Sequence, residues 1–70
     1  MNRKIRHSKY YAIPAYMALE KKSYADCSRY LEISERTFKD KVNGYSDFSA
    51  EQGRKLAVFL NRTQDEIFLT

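Results

Sequence analysis

The stretch from Ser34 to Gly44, SERTFKDKVNG, sets Phe38 and Val42 four residues apart and surrounds them with charge. On a helix that spacing puts the two apolar side chains on one side. Arg36, Lys39 and Asn43 then gather on the other, with Glu35 and Asp40 beside them. Arginine and lysine donate hydrogen bonds, carboxylates accept them, and an asparagine amide does both. Such a face is either simply wet or built to meet a polar partner. Residue types alone leave both readings open.

The elements that must hold this face follow from capping signals. Ser34 supplies a side-chain oxygen for the unpaired amides that open a helix, and Gly44 can end the helix in a left-handed conformation. Ser23, in SYAD, marks a helix running to about Leu31. Ser49 in SAEQ and Thr63 in TQDE are serine- or threonine-led capping boxes. Pro14 suits the first turn of a helix through PAYMALEK, where its missing N–H costs nothing. Tyr16, Met17 and Leu19 are then candidates for the core, and Lys21 and Lys22 fall at the negative end of the dipole. Leu56, Val58, Phe59 and Leu60 fill a fourth helix, weakened by roughly 1 kcal/mol at Gly53. Ile67, Phe68 and Leu69 close the chain. No stretch sustains the alternation of a strand, so the expected fold is all-α, with five short helices.

Only Glu32 and Ile33 separate the helix at 23–31 from the one at 34–43. So short a connection makes the helices cross steeply and the second project from the body. Cys27, Leu31, Ile33, Phe38 and Val42 are expected to face inward, with Ser28 small enough for close approach. This is a helix-turn-helix layout, in which the second helix can enter the major groove of DNA.

Composition narrows the classes. Seventy residues form one domain, which buries only about 60% of the surface its unfolded chain exposes. No run reaches the ~18 apolar residues of a membrane span. The basic start lacks the apolar stretch of a secretory signal, and Cys27 has no second cysteine to pair with, so a reducing cytoplasm is the expected location. Arg3, Lys4, Arg6 and Lys9 occur without an acid, whereas the rest of the chain holds nine basic and nine acidic side chains. The formal net charge of +4 therefore sits in a basic arm, residues 1–12, ahead of a neutral globule at 13–70. The arm reads as extended or partly disordered and suited to a polyanion; a solvated tail is the other reading.

Catalysis has little support. There is no glycine-rich phosphate loop and no Ser/His/Asp set, and Glu51 and Glu66 read as capping residues. His7 has no Cys, His or acid at ligand spacing, so neither a metal nor another cofactor is expected. Cys27 reads as a small buried apolar residue. YYAIPAY reads as core and hinge.

CSRYLEIS and ERTFKDKVNG, followed by FSAEQGRKLAVFL and DEIF, resemble the Cro/C1-type (XRE-like) helix-turn-helix family of phage and bacterial regulators. The resemblance runs from about Pro14 to Leu69 and is nearest to small phage-associated members. It implies a compact five-helix lambda-repressor-like domain that binds double-stranded DNA as a homodimer on a palindromic operator, in the cytoplasm of a bacterial cell. It also implies base-reading positions at Glu35, Arg36, Lys39, Asp40 and Asn43, with Ser34 at the cap. Arg36 and Lys39 can donate to guanine N7 and O6, and Glu35 can accept from the cytosine amino group. Asn43 is placed for the backbone or the turn, and Tyr45 and Ser46 for phosphates. Arg3, Lys4 and Arg6 would follow the DNA backbone or enter the minor groove.

The chain departs from the family pattern at four places. Glu32 stands where the turn usually has Gly, which asks a residue with a Cβ to adopt positive φ. Tyr24 replaces a phosphate-binding Gln, Ser28 an Ala, and Lys22 an apolar residue whose place its stem can fill. Glu35 and Asp40 are repelled by phosphate. That repulsion keeps a second reading open, an antirepressor-like module that retains the fold but binds another regulator.

Overall fold

A computed structural model describes residues 3–69. Met1 and Asn2 of the expected arm, and Thr70 at the other end, lie outside the described residues. Five helices follow one another, α1 (Ala12–Leu19), α2 (Tyr24–Leu31), α3 (Glu35–Asn43), α4 (Ala50–Phe59) and α5 (Gln64–Ile67). No strand occurs among the described residues.

Local chemistry explains most of the boundaries. Ser23, Ser34, Ser49 and Thr63 each accept, through the side chain, an amide three residues ahead. In three cases the side chain at that third position returns the bond, Asp26 to Ser23, Gln52 to Ser49 and Glu66 to Thr63. These reciprocal pairs satisfy amides that the helix itself leaves free. At Ser34 the third residue is Thr37, and the serine hydroxyl instead donates to the threonine hydroxyl at 2.8 Å.

α1 begins at Ala12, two residues ahead of Pro14 and inside the segment expected to be arm. Pro14 still lies in the first turn, where its missing N–H leaves no intrahelical bond unmade. α1 also ends at Leu19, short of the expected Lys21.

Four helices end the same way. The chain leaves α1, α2, α3 and α4 through left-handed residues Lys21, Glu32, Gly44 and Asn61, with φ of 55°, 59°, 99° and 56°. At each end the next amide reaches back five positions, for example from Ile33 to the carbonyl of Ser28 at 3.0 Å and from Arg62 to Ala57 at 2.9 Å. This closes the free carbonyls of a helix end. Only one of the four positions is glycine, so three carry the steric cost of a Cβ in that region.

The core is Ile13, Met17, Cys27, Leu31, Phe38, Val42, Leu56, Ala57, Leu60 and Ile67. It forms where α2 packs on α3 and on α4, and where α5 packs on α1 and α4. Phe38 is at its centre, with Tyr24 and Phe48 edge-on at 5.8 and 6.0 Å. Ser28 is buried as expected and its hydroxyl donates to the carbonyl of Ala25.

One expected core residue, Leu19, is not in it, and like Val58 and Leu69 it is about two-thirds exposed. Leu19 follows Met17 by two residues, and Val58 follows Leu56 by two. On a helix two residues turn the chain by about 200°, onto the far side. Gly53 has a packing reason, because a Cβ there would stand 2.9 Å from Cε2 of Phe68. Lys22 lays its ammonium over the Phe59 ring at 4.6 Å and so partly fills an apolar place.

Candidate nucleic-acid interface

α2 and α3 are linked through Glu32, Ile33 and Ser34, and the turn works because Glu32 adopts the left-handed conformation. α3 buries Phe38 and Val42 against α2. That choice of buried side decides what faces out. Glu35, Arg36, Lys39 and Asn43 are exposed, and Asp40 is half-buried. The first-turn acid Glu35 and the last-turn base Lys41 both complement the helix dipole.

Within this face the charges are partly paired. Lys39 lies 3.5 Å from Glu35, one helical turn back, and 5.3 Å from the centre of the Tyr24 ring. Tyr24, expected at a phosphate, uses its ring as a wall between Phe38 and Lys39. Among the described residues no ion pair engages Arg36. Lys41 points the other way and donates to the carbonyl of Asp47 at 2.7 Å, which braces the loop after α3.

The arm is where the structure changes the expectation most. Residues 3–10 hold no helix, yet they run along the end of α3 rather than away from the globule. The amides of Arg6 and His7 donate to the Gly44 carbonyl at 2.7 and 3.3 Å, and that of Tyr10 to Val42 at 3.0 Å. His7 stacks on Tyr10 at 4.2 Å and sets Nε2 2.9 Å from the carbonyl of Ser46. Ser46, expected to meet phosphate through the loop, thus has its carbonyl occupied by the arm. Gly44 permits this approach, since a Cβ on it would collide with the carbonyl of His7.

The arm's cations are divided. Arg3 pairs with Asp40 through both Nη atoms, at 3.0 and 2.7 Å, and its Cζ lies 4.2 Å from the centre of the Tyr45 ring. Arg6 pairs with Asp47 at 2.8 Å. Lys4 is exposed, and Lys9 sits 5.1 Å over Tyr11. The carboxyl of Asp40 is held below the usual carboxylate range, first by the Arg3 hydrogen bond and further by the charges of Arg3 and Arg36.

Of the expected site residues, Ser34 caps α3, and Glu35, Arg36, Lys39 and Asn43 are exposed along it. Arg3, Asp40 and Tyr45 come together at its end. Asp47, His7 and Tyr10, to which the sequence reading gave no part in the site, hold the arm there. The only signal for them was the acid-free run of cations, which does not say which acids it meets. The chain matches no known protein-family model and no curated protein.

Proposed function

We propose that this protein is a sequence-specific DNA-binding regulator of the Cro/C1 kind, with α3 as the helix that enters the major groove. The observation that carries the reading is the division of α3. Phe38 and Val42 anchor it, while Arg36 and Asn43 stand exposed on the opposite side, Lys39 at its flank and Glu35 in the exposed first turn. A helix so mounted, after a turn of three residues, has the shape and donors that groove reading needs. Arg36 is its foremost reader, because its fork is taken up by no acid among the described residues and matches guanine N7 and O6.

One such face reads only a few base pairs. Usable specificity therefore comes from two copies on half-sites about one helical turn, roughly 34 Å, apart. The lambda-repressor-like fold, the homodimer and the phage or prophage setting belong to this proposal and rest on the sequence resemblance.

Selecting bound sequences from random DNA tests it. The expected result is a two-fold-related site, with Arg36→Ala losing about 1–3 kcal/mol of discrimination at one position. Binding that ignores sequence at all salt concentrations, or an Arg36→Ala chain with unchanged preference, would favour a protein partner for the same face.

A further inference from the structure

We propose that Arg3, carried by the arm rather than by α3, is a base-reading residue clamped in place by Asp40, and that its target is the O6/N7 edge of a guanine. The assignment rests on the DNA-binding reading above and adds a specificity residue from outside the helix-turn-helix.

The geometry of the pair is the starting point. Nη1 of Arg3 donates to Oδ1 of Asp40 at 3.0 Å, and Nη2 lies 2.7 Å from Oδ2. This end-on fork uses two of the five guanidinium N–H groups. The Tyr45 ring lies against the guanidinium plane. Three residues along, the Arg6 amide pins the backbone to Gly44. The side chain is thus held at its tip, its plane and its root. What remains is the edge carrying Nε–H and its neighbouring Nη hydrogen, a second pair of parallel donors. The Arg3 side chain is 42% exposed, and no hydrogen bond engages Nε among the described residues.

Position on α3 puts the pair on the side proposed to face the bases. Asp40 follows Arg36 by four residues and precedes Asn43 by three, so all three share one side of the helix. Asp40 is therefore not an isolated acid aimed at DNA. It is the seat for a guanidinium, and the repulsion expected from it is cancelled by Arg3.

Charge decides between a base and a phosphate. The Arg3–Asp40 pair has no net charge, so it gains little from a phosphate and brings the carboxylate near one. Guanine is uncharged and offers two acceptors at the spacing of an arginine fork. Phosphate contact is left to the exposed cations Lys4 and Lys9, which pair with no acid among the described residues.

The test uses the full chain and the site it selects from random DNA. Wild type, Arg3→Lys, Arg3→Ala and Asp40→Asn are titrated against that site and against versions with each guanine replaced, at several salt concentrations. Lysine keeps the charge and loses the fork. Arg3→Lys is expected to lose preference at one guanine by between roughly 5-fold and 150-fold, with the other positions unchanged. Asp40→Asn is expected to lose preference at that same guanine while its salt dependence steepens by about one phosphate equivalent, because Arg3 is freed. Arg3→Lys retaining every guanine preference would overturn the assignment and leave the DNA reading intact. So would Arg3→Ala weakening all sequences equally with a shallower salt slope, the behaviour of a phosphate contact. A wild-type chain without any sequence preference would overturn both.

Discussion

The Arg6 amide donates to the carbonyl of Gly44 at 2.7 Å, joining the arm to the residue that ends α3. That carbonyl is free to accept because Gly44 turns the chain in the left-handed region at φ 99°, and the same turn leaves no room for a Cβ beside His7. The end of the proposed reading helix and the seat of the arm are therefore one device.

Gly44→Ala should break both functions of that device. The left-handed backbone alone costs about 1–2 kcal/mol for a residue with a Cβ, and the collision with His7 displaces the arm. Urea unfolding should show a lower midpoint, and trypsin should cut after Lys9 faster than in wild type under native conditions. Unchanged cleavage would mean that the arm's seat does not depend on Gly44.

Glu32→Gly should do the opposite. Glu32 holds φ at 59° with a Cβ in place, so glycine relieves strain and costs some chain entropy, for a net gain of up to about 1 kcal/mol. In a domain of this size that is a rise of roughly 4–8 °C in Tm. Asn61→Gly should gain less, because asparagine tolerates the left-handed region better than glutamate. Equal effects at the two sites would argue against backbone strain as the cause.

Stability should fall on the acid side. Asp26 is held below the usual carboxylate range by the Ser23 amide and then by the Ser23 hydroxyl, Glu66 by the matching groups of Thr63, and Asp40 by Arg3. Each folded-state pKa lies below its unfolded value near about 4. The stabilisation is thus fully present above that value and is lost as pH falls through the folded ones. Urea midpoints measured from pH 7 down to pH 2 should be level above about pH 5 and decline below about pH 4. Asp26→Asn should make the decline shallower. An equally steep curve in that variant would remove the Ser23–Asp26 capping box from the account.

Cys27 should be inert until the chain opens. It is fully buried, and burial first, then the charge of Asp26, pushes its thiol up to about 11. Little thiolate exists at pH 8 and none is within reach of a reagent, so labelling by an aromatic disulfide should follow the unfolding transition in urea. Rapid labelling of the native chain would contradict the packing of α2 on α3 and α4.

What the sequence determined by itself is local. Ser23, Ser34, Ser49 and Thr63 mark helix starts because a cap needs only an oxygen and an amide three residues on. Phe38 and Val42 mark the buried side of α3 because side chains four apart must share a side, and the exposed side follows. Tertiary structure decided what no short window contains. Arg3 and Arg6 meet Asp40 and Asp47 across 37 and 41 residues. A cation attracts any acid alike, so its partner is chosen by the chain path that packing imposes, here through the carbonyl of Gly44.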